Sequence, residues 1–298
     1  MKQNLKSGFV AVIGRPNVGK STLMNRLVGQ KIAIMSDKPQ TTRTKLLGIR
    51  TTASSQIIFV DTPGLHKPRT RLSEYMVNVA TNSAKDADLI LYVSDASLPL
   101  SNAEEETIQN LGKYELPCIL VLNKVDICNK EQLLPKIDTY QKLYNFESII
   151  PISAKKENGL DSVVEEIEKL LPEGPEFYPE EMVTDMTERE IAAEVVREKM
   201  LRLLDKEVPH GVAIEVAVFH EKDTVNEIGV NIYCEKESHK GIIIGKHGEM
   251  LKRIGRNARL ELEDMMKKKV FLELWVKVKP DWRNNNHLIR DFGFDTKA

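Results

Sequence analysis

Gly14-Arg15-Pro16-Asn17-Val18-Gly19-Lys20-Ser21-Thr22 has the spacing G-x-x-x-x-G-K-[ST], and its surroundings decide the fold. Two glycines let successive backbone N–H groups converge on phosphate oxygens. Lys20 brings positive charge to the terminal phosphates, and the Ser21 hydroxyl can reach Mg2+. The run 9–13, Phe-Val-Ala-Val-Ile, suits a buried strand, and 21–28 reads as a helix whose positive end adds to the attraction. Strand, loop and helix in this order open an α/β domain.

At 298 residues the chain suits two domains, each with a core of its own. The net charge of −1 hides an asymmetry: 161–190 carries eleven acids against Lys169 and Arg189, whereas 238–259 carries six bases against Glu249. Only the second stretch suits a nucleic-acid face. Cys118, Cys128 and Cys234 match no metal or redox spacing, and their odd number argues against a disulfide framework. Residues 1–7 are polar with no signal-peptide pattern behind them, and nowhere do eighteen uncharged apolar residues run together. The expectation is a cytoplasmic protein, taken as a monomer.

Beyond the first helix, 30–43 reads as an exposed loop ending in Gln40-Thr41-Thr42-Arg43. In nucleoside-triphosphate switches a threonine here closes over Mg2+ and the γ-phosphate, and Thr42 is the better placed of the two. The apolar run 56–60 ends in Asp61-Thr62-Pro63-Gly64. Such a turn can put a carboxylate on the metal shell and a glycine amide on the γ-phosphate, although alone it is only a turn signal. Leu65 follows where Ras-type switches carry a glutamine, so hydrolysis should be slow or assisted. His66 reads as an exposed loop histidine. The runs 89–93 and 118–122 continue the strand and helix alternation of a largely parallel sheet.

The second of these ends in Asn123-Lys124-Val125-Asp126, where the Asp126 carboxylate can accept both N1–H and the 2-amino hydrogens of guanine. Adenine offers neither, and an unpaired buried polar group costs about 1–3 kcal/mol. After the strand 149–152, the loop Ser153-Ala154-Lys155 could place an amide on the guanine carbonyl, with Lys155 near the base. An amphipathic helix over 159–171, stopped by Pro172, closes the domain.

These five motifs resemble those of small GTPases in order and spacing. Gly-Arg-Pro-Asn-Val-Gly-Lys-Ser-Thr, Gln-Thr-Thr-Arg and Asp-Thr-Pro-Gly-Leu-His resemble the bacterial Era GTPases in particular. In that wider group an apolar residue replaces the glutamine, and the loop asparagine, here Asn17, can help bind K+. The resemblance implies a GTP-binding domain over 6–172 with a largely parallel six-stranded sheet.

Residues 172–179 hold three prolines and a glycine and read as a stiff linker, here 173–186. A helix over 187–207, strands over 212–219 and 228–234, a helix, a Gly-x-x-Gly turn, a basic helix over 249–266 and a strand over 271–279 give the order of a type 2 KH domain. That domain spans 187–282 and is followed by a tail, 283–298. In Gly245-Lys246-His247-Gly248 the glycines let backbone approach about four nucleotides of single-stranded RNA. Lys246 supplies charge, Ile243 and Ile244 form a floor for bases, and Lys252 and Arg253 extend the basic face. Lys267, Lys268 and Lys269 can be a solvated helix end, and Trp275 suits domain packing better than base stacking.

The Era resemblance implies a GTPase whose nucleotide state controls a KH domain holding single-stranded rRNA near the 16S 3′ end, in maturation of the 30S subunit. GTP and Mg2+ would order Thr42 and the Asp61 turn and so alter how the domains dock. Two rivals stand beside it. An RNA-modifying enzyme would need a nucleophile, and Cys234 lies in a strand pattern with no partner base. A membrane-surface GTPase would need a basic amphipathic helix, and 252–269 leaves peripheral contact at the inner face of the cell membrane open.

Overall fold

The computed structural model describes residues 5–36, 38, 40–65, 68 and 70–294; His66 lies outside them. The chain divides into two units, Met1–Ala33 with Thr42–Lys67 and Met76–Asp185, and Ile34–Thr41 with Pro68–Tyr75 and Met186–Ala298.

The first unit follows the alternation read from the sequence: β1 (Leu5–Ile13), α1 (Lys20–Val28), β2 (Leu46–Thr51), β3 (Ser55–Asp61), α2 (Arg71–Lys85, which begins in the second unit), β4 (Leu89–Asp95), α3 (Asn102–Gln109), β5 (Cys118–Asn123), α4 (Lys130–Leu143), β6 (Ser148–Pro151), α5 (Leu160–Leu170) and β7 (Glu173–Gly174). Its sheet has the order β2-β3-β1-β4-β5-β6. The pairs β1 with β3 and β4, β4 with β5, and β5 with β6 are parallel, and β2 runs antiparallel to β3. β3, β4 and β5 are buried along their whole length, as a sheet covered on both faces requires. The tips of β1, β3 and β5 carry the phosphate loop, Asp61 and Asn123, so parallel pairing alone brings three separated motifs to one end of the sheet.

The expected linker is different in the structure. Glu173–Gly174 forms β7, a seventh, two-residue strand antiparallel to β1. Gln56 binds the next stretch from both ends of its amide, accepting from the N–H of Phe177 and Tyr178 and donating to the Tyr178 carbonyl. Ile49 N–H then donates to the Val183 carbonyl at 2.9 Å, and Phe177 stacks edge-on against Phe9. Strand β2 has a free side, and an exposed edge of unpaired amides is satisfied by the chain that follows. Residues up to Asp185 therefore belong to the first unit.

The second unit comprises α6 (Glu188–Leu203), β8 (Ala213–Glu221), β9 (Val225–Cys234), α7 (Glu237–Ile244), α8 (Glu249–Met266), β10 (Lys269–Val278) and α9 (Asn286–Asp291). Thr187 opens α6 with a capping box closed by Glu190. The sheet order is β10-β9-β8, with β9 antiparallel to β8 and parallel to β10. Val195, Met200, Ile228, Val230, Ile232, Ile254, Ala258 and Leu262 build its core, and the alternate residues Leu272, Leu274, Val276 and Val278 of β10 pack on it. The expected tail at 283–298 is structured through Phe294. Trp282 is fully buried, donates Nε1–H to the Gly211 carbonyl at 2.9 Å and lies against Phe292 and Phe294.

Candidate functional site

The phosphate loop passes from β1 into α1, whose N-cap, Gly19, has φ 100°. A Cβ on Gly19 would lie 2.3 Å from Asn123 Nδ2, so both conformation and space require glycine. Lys20 is buried and donates to the carbonyls of Gly14 at 3.0 Å and Arg15 at 3.1 Å. Burial lowers its ammonium to about 8, against the attraction of Asp61. Burial likewise raises the Asp61 carboxyl, opposed by Lys20 and by hydrogen bonds from Ser21 and Thr42. Two poorly solvated charges side by side are what a polyphosphate and a divalent cation would compensate.

Ser21 Oγ donates to Asp61 Oδ2 at 2.7 Å and lies 3.0 Å from Thr42 Oγ1, which is 3.2 Å from the same carboxylate oxygen. The other oxygen, Asp61 Oδ1, is buried with no hydrogen-bond partner. Two hydroxyls and a carboxylate form a hard-oxygen set that suits Mg2+. No cluster of three His, Cys, Asp or Glu that could hold a metal occurs among the described residues. Thr62 and Pro63 are buried, and Thr62 Oγ1 donates to the Val12 carbonyl, tying the turn to β1. Gly64 follows, and Leu65 N–H donates to the Gly14 carbonyl at 3.3 Å. The Leu65 side chain packs on the apolar cluster around Ile13 and Tyr92.

Asn123 links the remaining motifs. Its Nδ2 donates to the Val18 carbonyl at 2.9 Å, and its Oδ1 accepts from Lys124 N–H at 2.8 Å and Ala154 N–H at 3.0 Å. Asp126 is exposed and takes a bond from Ser153 Oγ at 2.6 Å, while Val125 is half-buried and Lys155 points to solvent. Lys124 Nζ donates to the Asn17 carbonyl at 2.7 Å. Arg15, expected among the phosphate-binding residues, donates to Ser101 Oγ at 3.0 Å, and Thr22 is half-buried on α1. The motif residues before Leu65 and after Asn123 thus meet at one end of the sheet.

In the second unit Gly245 and Gly248 have φ 72° and 78°, and His247 between them has φ 51°. Gly245 also approaches Met250, whose Cβ would be 2.7 Å from an added Cβ. Lys246 and His247 are exposed, as are Lys252, Arg253 and Arg256 along α8, whereas Arg259 pairs with Glu263 at 3.2 Å. Ile243 must be corrected: it is fully buried in the core and offers a base no surface. Ile242 is 49% exposed and Ile244 is half-buried, because a helix turns successive residues by about 100°, so adjacent isoleucines cannot share a face. Trp275 lies over Gly229 and keeps 44% exposure within its unit. The Cys234 thiol is buried, donates to backbone carbonyls and is pushed up by burial, which leaves no activated nucleophile there.

Charges buried on α6 were not read from the sequence. Arg197 donates to the carbonyl of Thr41, and Glu198 accepts from Met35 N–H at 3.1 Å, from Lys199 at 2.9 Å and from Arg202 at 2.6 Å. Thr41 is followed directly by Thr42. A polar helix face holding the main chain of Met35 and Thr41 breaks the apolar stripe that sequence reading looks for.

The 50S ribosome-binding GTPase family matches residues 9–124, and the KH domain family matches 207–283. GTPase Era of Ruminiclostridium cellulolyticum is 55% identical over 98% of this chain and 98% of its own length. The chain belongs to the Era family of GTPases. GTPase Era of Alkaliphilus oremlandii is 50% identical over 97% of this chain and 99% of its own. A solved structure of an Aquifex aeolicus Era variant bound to GDP·AlF4− is 43% identical, with a TM-score of 0.94 over 97% of this chain and 99% of its own. A structure of Era with MgGDPNP and nucleotides 1506–1542 of 16S ribosomal RNA has the same identity, coverage and score. This Era-family chain is accordingly a GTPase, with a P-loop α/β domain followed by a KH domain. None of its described helices is long and apolar enough to cross a membrane.

Proposed function

We propose that this protein binds and hydrolyses GTP in order to time the binding of single-stranded rRNA near the 16S 3′ end, in the assembly of the 30S subunit. The observation that carries the reading is full-length similarity to Era in complex with MgGDPNP and nucleotides 1506–1542 of 16S rRNA, together with a KH loop in this chain that exposes Lys246 and His247 between two glycines.

In this reading Gly14, Arg15, Pro16, Asn17, Val18, Gly19, Lys20, Ser21 and Thr22 hold the phosphates, Asp126 reads guanine, and Ser153, Ala154 and Lys155 close over the base. Ser21, Thr42 and Asp61 would hold Mg2+, which when bound offsets charge on the β- and γ-phosphates. Lys20 neutralises charge on the same phosphates from the buried floor of the loop. Leu65 cannot orient water, so intrinsic turnover is slow. Asn17 is proposed as a K+ ligand, which predicts faster turnover in K+ than in Na+ at equal ionic strength. The KH unit runs from 187 to 282, with structured chain beyond it.

Replacing Lys246 and His247 with aspartate tests the RNA assignment. RNA affinity should fall at least about a hundredfold with GTP turnover retained, because like charge would face the phosphates; undiminished affinity would refute it. We read the protein as a cytoplasmic monomer. Flotation with anionic vesicles in the absence of RNA decides the rival membrane reading of α8.

A further inference from the structure

Asp95, at the end of β4, belongs to none of the nucleotide motifs. Its carboxylate is buried, and each of its oxygens is engaged. Oδ1 accepts from Ser97 N–H at 2.9 Å and Ser97 Oγ–H at 2.6 Å, while Oδ2 pairs with Lys124 Nζ at 2.7 Å. Lys124 Nζ makes a second bond, to the Asn17 carbonyl of the phosphate loop, also at 2.7 Å. The backbone fixes the carboxylate's position too. Asp95 lies opposite Asn123 in the β4/β5 register, Ala96 N–H donates to the Asn123 carbonyl at 2.7 Å, and Lys136 Nζ reaches the Ala96 carbonyl at 2.7 Å.

Lys124 itself is in the left-handed region, at φ 67°. Its stem is stretched from the strand tip, beside Asp126, to the phosphate loop, so it borders the base and the phosphate ends of the site at once. A four-carbon stem with a freely hydrated ammonium does not hold such a path unaided. The buried carboxylate supplies the fixed end. Burial alone would raise its pKa, yet the bonds from Lys124 and Ser97 hold it below the ordinary range, so it stays charged.

We propose that Asp95 is a positioning residue for guanine nucleotides: it pins Lys124 across the phosphate loop, and nucleotide residence time depends on that pin. This rests on the reading of Asn123, Lys124 and Asp126 as the base site. Asp95 touches no nucleotide itself; it acts through Lys124 and, one bond further, through the Asn17 carbonyl.

The test is a double-mutant cycle on GDP release, followed with a fluorescent GDP analogue on the full chain. Asp95→Asn keeps a side-chain oxygen for Ser97 and loses the charge that holds Lys124, and Lys124→Met keeps the stem and loses the ammonium. Each single variant should speed release by about tenfold, and the double variant should be no faster than Lys124→Met alone. Multiplying effects would show that Asp95 acts independently of Lys124 and would overturn the proposal. Ser97→Ala, at an exposed position, removes one restraint on a carboxylate that keeps its charge, and should speed release by about threefold. It decides the matter even if Asp95→Asn fails to fold, because unchanged release would then count against the pin. Faster release in Lys124→Met with none in Asp95→Asn or Ser97→Ala sinks this proposal alone. Unchanged release in Lys124→Met sinks the base-site reading beneath it.

Discussion

Ser21 Oγ donates to Asp61 Oδ2 at 2.7 Å, although 40 residues separate them, because β1 and β3 pair in parallel and present their ends together. Thr42 Oγ1 joins the same oxygen. Ser21→Ala should therefore raise the Mg2+ concentration needed for half-maximal GTP turnover by about tenfold or more, since one of few protein ligands is lost. Chelation should stop turnover in both proteins. An unchanged Mg2+ requirement would remove Ser21 from the metal set.

The pH dependence of nucleotide binding follows from Lys20. In the ligand-free loop burial brings its ammonium down to about 8, below the ordinary 10.5, and bound phosphates should restore it. Binding takes up a proton within this window, so GTP affinity should fall as pH rises through it, by about tenfold per unit. The unfolded chain keeps that proton longer than the folded one, so the stability of the ligand-free protein should rise over the same interval. Calorimetric titrations at about pH 8.5 in buffers of different ionisation enthalpy measure the proton uptake. Affinity flat across the window would contradict it.

Asp126→Asn should move preference from guanine to xanthine nucleotides, because the amide donates where the carboxylate only accepts. Competition of GTP and XTP for the variant reports the change. Unaltered GTP selectivity would refute a base-reading role for Asp126.

Trp282→Ala should cost about 3–5 kcal/mol, the range for deleting a buried aromatic. The ring is fully buried, holds the Gly211 carbonyl and supports Phe292 and Phe294. Trp282→Phe should recover most of the packing and lose about 1 kcal/mol for the hydrogen bond. Chemical denaturation followed by circular dichroism distinguishes the two; a loss under about 1 kcal/mol for alanine would place Trp282 outside the core.

Local pattern announced β1, β3, β4, β5 and β6 of the first unit and the whole of α8, because buried parallel strands are short apolar runs and α8 is amphipathic; it did not announce β2, which runs antiparallel, or the two-residue β7. The phosphate loop and the Asn123 tetrapeptide were legible because their chemistry is confined to contiguous residues. What escaped depends on partners distant in sequence. Residues 173–185 have a linker's composition, yet β1 pairs with 173–174, Gln56 of β3 holds Phe177 and Tyr178, and β2 binds Val183 and Asp185. Asp95 looks like the end of a strand until Lys124 is seen beside it. Arg197, Glu198 and Lys199 are buried only because backbone and opposite charges await them. Ile243 and Ile244 looked alike in an apolar tetrapeptide, and only the helix phase separates core from surface.

The central claim is that GTP governs RNA binding, and it is tested most directly by titrating a 16S 3′-end RNA against the protein loaded with a non-hydrolysable GTP analogue and, separately, with GDP. The account predicts binding at least about tenfold tighter in the GTP-analogue state, and no such difference in a Thr42→Ala variant. Equal affinity in both states of the unaltered protein would contradict it.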